Sequence, residues 1–261
     1  MGKNVYLVSN TYKSFYLFRK EIIIELSKKY DVTLVANNDK YINYFLGKNI
    51  KCIKLKNLFN NRNLIINIYL IFKFLFLFSR KKPDLVQTYT IHPNLIVSPL
   101  AKVFFAKTAV MITGMGAVSI SSNKIIKILY DYLYKIISLF CDYFIYVNNH
   151  DKNYFLNKLN ISKPYIQIFG AGIKKKKKFK KNFLGQKYNL EKSFNILFIG
   201  RLIEEKGFDV AIKIFKKLSI KNKKLIIVGD FDKLSFSKNK NHQILKYPGI
   251  IWIKNIDDIS E

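Results

Sequence analysis

Gly200, Arg201, Lys206 and Gly207 fall in one short stretch, and together they could grip an anion. Arginine offers a planar fork that can hold a phosphate through two parallel hydrogen bonds, and lysine adds a compact point charge. The apolar run Phe194 to Ile199 comes just before. Its length and its aromatic and β-branched content predict a buried parallel strand. Phe208, Ile212 and Phe215 then recur at helical spacing. Strand, glycine loop and helix put the two cations at a strand's carboxyl end, beside a helix N-terminus. Free backbone N–H groups and the helix dipole favour anions there. A diphosphate is the expected guest. By itself, R-x-x-x-x-K-G also fits a plain surface connection with two solvated cations.

More polar residues and glycines follow other expected strands. Asn10 and Thr11 come after a strand at 5–8. Thr90, His92 and Asn94 come after one at 84–88, and Gly114 and Gly116 after one at 109–113. All are expected to line the cleft of an α/β fold and to contact an acceptor, or, for the glycines, acceptor or donor. Paired glycines let backbone amides approach a ligand closely. The turn Ser9-Asn10-Thr11-Tyr12 has no glycine, so side-chain hydrogen bonds are expected there instead. His92 reads equally as a sugar or phosphate contact and as a loop histidine without a role.

The run from Phe194 to Gly229 resembles the opening of the C-terminal domain of retaining GT-B glycosyltransferases of family 4. That pattern is strand, G-R-L-x-x-x-K-G, a helix ending F-x-x-L, and a second strand. Here the helix ends Phe215-Lys216-Lys217-Leu218, and Leu225-Ile226-Ile227-Val228-Gly229 follows. Upstream, Lys82-Pro83-Asp84-Leu85-Val86 resembles K-P-D-x-V, and Thr90 to Asn94 resembles T-x-K-P-N with His92 in the lysine place. Thr113-Gly114-Met115-Gly116 resembles T-G-x-G, and Asn148 with Asp151 resembles N-x-x-D. Gly170-Ala171-Gly172-Ile173 resembles G-x-G-V-D with Lys174 in the aspartate place.

The resemblance implies that Arg201 and Lys206 hold the diphosphate of a nucleotide-sugar donor, expected to be UDP-linked. It implies a metal-independent reaction with no cofactor, and a lipid-linked glycan acceptor, a polyprenyl diphosphate or a polysaccharide. Two departures bear on activity. The family's E-x7-E pair, which touches donor sugar and ribose, does not occur in these residues, and Lys174 replaces an expected aspartate. The expectation is therefore a transferase truncated before that pair, and possible inactivity belongs to it. The alternative is a non-catalytic membrane-surface remnant of such an enzyme.

The elements that must position these residues alternate strand and helix, which predicts parallel α/β layers. Strands are expected at 5–8, 31–36, 51–55, 84–88, 109–113, 143–147, 166–169, 194–199, 225–228 and 247–253. In the helix at 15–29, Phe18, Ile22 and Leu26 share one face at fourfold spacing. The fold class expected is GT-B-like α/β: a complete N-terminal Rossmann-like domain at 1–173, a basic linker at 174–192, and an incomplete C-terminal Rossmann-like domain at 193–261. The stretch 63–78 is nearly all apolar, but Asn67 and Lys73 interrupt it and it is short for a bilayer span. A helix at a membrane interface and a helix buried in the fold fit it equally.

Of 261 residues, 46 are Lys or Arg and 17 Asp or Glu, a formal net charge of +29. No RNA- or DNA-binding motif accompanies that charge, so nucleic acid is not an expected partner. An anionic membrane surface is, with codon bias toward lysine contributing. The dense cluster at Lys174 to Lys178, Lys180 and Lys181 should stay solvated. Cys52 and Cys141 show no paired or metal spacing and read as buried free thiols of a reducing compartment. His92, His150 and His242 form no cluster, so no metal site is expected. The N-terminus opens on a strand rather than a signal peptide, and the expected location is cytoplasmic, at the inner face of the membrane.

Overall fold

Parallel pairing runs through every strand contact. In the computed structural model, β1 (Asn4–Thr11) pairs with β2 (Asp31–Asn37) on one side and β4 (Leu85–Tyr89) on the other. The model describes residues 2–56, 58–60, 63–114, 124–170, 183–203, 206–231 and 247–254. The chain separates into two units, Met1–Lys174 and Lys175–Glu261. The first holds a seven-stranded sheet in the order β3-β2-β1-β4-β5-β6-β7. Its other strands are β3 (Lys51–Leu55), β5 (Lys107–Ile112), β6 (Tyr143–Tyr146) and β7 (Tyr165–Gln167). The strand order turns back between β1 and β4. This is the point at which doubly wound sheets open a crevice at their carboxyl ends.

Among the described residues six helices flank this sheet: α1 (Tyr12–Ser27), α2 (Ile42–Leu46), α3 (Leu64–Arg80), α4 (Ile91–Val103), α5 (Lys124–Leu139) and α6 (Asn149–Asn153). Side chains of neighbouring strands in register share a face, so one face carries Val5, Leu7, Val32, Leu34, Tyr89 and Met111 and packs on α1 and α2. The opposite face carries Tyr6, Val8, Val35 and Val86 under α3 and α4. Val110, Ile112, Phe144 and Tyr146 extend that face under α5.

The buried stripe of α1 is Tyr12, Phe15, Arg19 and Ile23. Phe18 and Ile22, which share a face by spacing, are more than half exposed, so the core side lies one residue away. Arg19 breaks the true stripe with a charge and hides it from a count of apolar positions. α4 starts at Ile91, so Pro93 falls in its first turn, where its missing N–H costs nothing. No helix among the described residues is long and apolar enough to cross a membrane.

The second unit holds α7 (Phe183–Lys187), β8 (Phe194–Ile199), α8 (Phe208–Lys217), β9 (Lys223–Val228) and β10 (Ile250–Ile253). Its three described strands form a parallel sheet in the order β10-β9-β8. Phe208, Ile212 and Phe215 of α8 close a core with Leu202, Leu225, Ile227 and Phe231. The expected burial of β8 is corrected here: Phe194, Leu197 and Ile199 are each about half exposed. Among the described residues β8 is an edge strand covered by α8 on one face, so only its alternate side chains, Ile196 and Phe198, meet the core. The lysine cluster at 174–181 lies outside the described residues. Cys141 is buried and Cys52 only half-buried, both free.

Candidate functional site

The β8–α8 connection is held at its first residues by the neighbouring strand. Gly200 N donates to Val228 O at 3.0 Å, and Leu202 N donates to Asp230 O at 3.0 Å. The ladder thus continues past the ends of β8 and β9. A glycine after β9 makes that possible. Gly229 has φ +145°, and a Cβ there would stand 1.8 Å from the Gly200 carbonyl oxygen. Trp252 Nε1 donates to Gly229 O at 2.8 Å and pins the same turn from β10. Leu202 is buried as the anchor, while Arg201 just before it is exposed.

Lys206 N donates to Ile203 O at 3.1 Å, closing a tight turn before α8, and the Lys206 side chain is exposed. Gly207 caps α8 with φ 75° and ψ 22°, in the left-handed region. A glycine cap brings no side chain, and no side-chain cap bond is made. No N-cap side chain therefore accepts from the first-turn amides of α8, and that turn also carries Asp209. Gly200, Arg201, Lys206 and Gly207 are thus gathered in one turn, with two exposed cations at a strand's carboxyl end beside an uncapped helix N-terminus. The turn suits a doubly charged phosphate group. Glu204 and Glu205 lie outside the described residues.

In the first unit, Asn10 and Thr90 meet where the strand order turns back: Thr90 Oγ1 donates to Asn10 Oδ1 at 2.9 Å. Thr90 has φ 71° and ψ 156°, a backbone region nearly confined to glycine, costing on the order of 1–3 kcal/mol. Thr11 caps α1, its Oγ1 accepting from Ser14 N at 3.2 Å. Gly114 is exposed with φ +120° and open space around it, while Gly116 lies outside the described residues.

His92 and Asn94 are used differently from the expectation. The His92 ring turns into the fold, with Nδ1 2.7 Å from Phe59 O and Nε2 2.9 Å from the Asn67 carboxamide. In a neutral ring, Nδ1–H donates to the carbonyl and Nε2 accepts an amide N–H from Asn67. Both ring nitrogens are spent bracing α3 against α4, which leaves neither for a sugar or phosphate. This also accounts for Asn67, the polar interruption of an apolar helix. Asn94 is fully buried near Tyr134, and neither end of its amide makes a hydrogen bond of normal geometry. Its depth inside α4 removes it from any surface contact.

Sequence reasoning passed over two residues. Gly229, read in the sequence only as the end of a strand motif and not as a site residue, locks the β8–α8 turn; it follows β9 as Gly200 follows β8. Arg19 is 9% exposed, with its guanidinium 4.2 Å from the Tyr89 ring centroid and Nη1 donating to Ser14 O at 3.2 Å. Its Nε has no partner, and burial holds its pKa below the usual arginine value. No described carboxylate pairs with it. Its signal was the fourfold spacing with Phe15 and Ile23.

Known proteins resemble this chain in part of its sequence and in its fold. Residues 179–261, which contain the β8–α8 turn, match the family described as glycosyl transferases group 1. A capsular polysaccharide biosynthesis glycosyltransferase, CapM of Staphylococcus aureus, is 25% identical over 257 residues. That alignment takes in 94% of this chain and 66% of CapM, so the chain spans just under two thirds of that relative's length. Among solved structures, Anabaena HepE in complex with UDP and glucose superposes with a TM-score of 0.75 at 12% identity, over 99% of this chain and 71% of that one. A structure described as a putative UDP-N-acetylglucosamine 2-epimerase from Listeria monocytogenes superposes at 0.67 with 14% identity, over 98% and 70% of the two chains. The fold is that of GT-B glycosyltransferases. A structure described as a putative epimerase shares that fold, so the fold alone assigns no class of chemistry.

Proposed function

We propose that this protein takes part in moving a sugar from a nucleotide diphosphate-sugar, UDP-linked, to a lipid-linked glycan or polysaccharide acceptor at a membrane. The observation that carries it is the Gly200–Gly207 turn, lying in the segment that matches group 1 glycosyl transferases. In such a reaction the bond from the anomeric carbon to the diphosphate breaks, and negative charge grows on the leaving phosphate. On this reading Arg201, Lys206 and the first-turn amides of α8 meet that charge, an electrostatic contribution that needs little reorganisation. UDP fits as the leaving group because HepE, which shares the fold, was solved with UDP. The acceptor reading leans on CapM, whose description is capsular polysaccharide biosynthesis.

Asn10 and Thr90 stand where doubly wound sheets take their ligands, and on this reading they are the acceptor-side contacts, with the exposed Gly114 two residues past the end of the neighbouring β5. His92 braces α3 against α4. Calorimetry with UDP on the wild type, Arg201→Ala and Arg201→Lys tests the donor site. Loss of a charge-assisted hydrogen bond worth roughly 1.5–3 kcal/mol should weaken UDP binding about tenfold or more in Arg201→Ala. Arg201→Lys should recover part of it, since a point charge cannot reproduce the fork. Equal UDP affinity in all three proteins would remove Arg201 from the donor site.

A further inference from the structure

Two helices of the first unit carry a second apolar stripe that the fold does not use. α3 turns Leu70, Phe74 and Phe78 to the sheet. On its opposite side Ile65, Ile68, Tyr69, Phe72 and Phe76 line up at spacings of three, four and seven, with Phe72 66% and Phe76 59% exposed. α5 turns Tyr130, Tyr134 and Ile137 inward. On its outer side Ile128, Leu129, Tyr132 and Leu139 form the matching stripe, with Ile128 67% and Tyr132 62% exposed. Both helices lie over the same face of the sheet, flanking α4, which touches each of them. The two outward stripes therefore point away from the sheet on one side of the unit.

The charges on this side have one sign. α3 carries Lys73 and Arg80, each stacked over an outward ring, Tyr69 and Phe76 respectively. α5 carries Lys124, Lys127 and Lys135. Its one acid, Asp131, is engaged by Tyr154 OH at 2.6 Å and Lys158 Nζ at 3.4 Å. The helix on the other face of the sheet differs: the exposed Phe18 and Ile22 of α1 share their helix with Glu21 and Glu25.

We infer that the paired outer faces of α3 and α5 are a docking surface for an anionic lipid bilayer. This names the partner that the proposed lipid-linked acceptor requires, and it rests on that reading. Aromatic and aliphatic side chains flanked by Lys and Arg, without free carboxylates, match the interface between acyl chains and acidic headgroups. Neither helix needs to cross the bilayer; each lies in its surface with the core stripe still on the sheet. A second copy of the chain fits less well, because each copy brings a formal charge of +29 to the contact.

Flotation of the full chain with vesicles tests this, using pure phosphatidylcholine against phosphatidylcholine containing about three parts in ten phosphatidylserine, a proportion high enough to give a strongly negative surface. Three double variants are compared: Phe72→Ser with Phe76→Ser, Ile128→Ser with Tyr132→Ser, and Phe18→Ser with Ile22→Ser as the control on the other face. All six side chains are more than half exposed, and circular dichroism checks that each variant is folded. The wild type should bind the acidic vesicles at least tenfold better than the neutral ones. The α3 and α5 variants should each lose at least tenfold, and the α1 variant should match the wild type. All variants should keep wild-type UDP affinity, so failure at the vesicles and failure of the donor reading are separable. Equal vesicle binding by all four proteins would overturn the inference. So would indifference to lipid charge, or a wild-type dimer in light scattering that the α3 and α5 variants dissociate.

Discussion

Exchanging two glycines of the phosphate turn for alanine should separate backbone strain from steric collision. At Gly207, φ is 75° and nothing stands within 4 Å of an added Cβ. Gly207→Ala therefore meets only the left-handed penalty of a Cβ, roughly 1–2 kcal/mol. At Gly229, φ is +145° and the added Cβ would lie 1.8 Å from Gly200 O and 2.9 Å from Gly200 C. Those are backbone atoms held in the ladder by Val228 O, so no side chain can swing aside. Strain of about 1–3 kcal/mol and overpacking of about 1–3 kcal/mol then act together, for a total of about 2–6 kcal/mol. For a unit of this size each kcal/mol moves the melting temperature by roughly 4–8 °C. Thermal unfolding followed by near-ultraviolet circular dichroism should report Trp252, which is bonded to Gly229 O. Gly207→Ala should melt several degrees early and keep measurable UDP binding. Gly229→Ala should lose the Trp252 signal far earlier, or altogether, along with UDP binding. Equal shifts for the two variants, or a wild-type melt for Gly229→Ala, would refute the reasoning.

Two further outcomes are expected. Asn67→Leu should cost about 1–3 kcal/mol in urea unfolding, because it strands His92 Nε2 in a half-buried site, and adding His92→Phe should not restore the wild type, because Phe59 O then loses its Nδ1–H donor; an Asn67→Leu curve matching the wild type would deny the bracing role. At Asp142, burial alone would raise the carboxyl pKa, but hydrogen bonds from Lys102 Nζ at 2.6 Å and from Thr108 N at 2.7 Å outweigh it and hold the pKa below the usual range. A depressed folded pKa gives stability that is complete above the unfolded value near ~3.9 and is lost as pH falls through the folded value. Asp142→Asn should thus be less stable than the wild type by about 1–2 kcal/mol at neutral pH, with the two curves converging in acid; parallel curves down to the acid limit would contradict it.

Much of the fold is legible in the chain itself. Apolar runs four to six residues long, broken by polar or glycine turns and alternating with helical spacing, require parallel strands with crossover helices, because such runs must be buried on both faces. The β8–α8 turn is legible too, since a glycine must follow β9 for its backbone to pass Gly200 and another must supply the left-handed cap of α8. What the sequence could not decide is which of two apolar stripes on one helix faces inward. On α1 the inward stripe contains Arg19 and the more apolar stripe points to solvent; on α3 and α5 both sides are apolar, and only packing on the sheet separates core from surface. Nor could spacing tell that His92 reaches back to Asn67 and Phe59, or that Asn94 ends up buried, because those contacts join residues from separate elements. Local order sets the strand, turn and helix from neighbours along the chain, whereas the direction a side chain finally takes depends on what the tertiary fold brings against it.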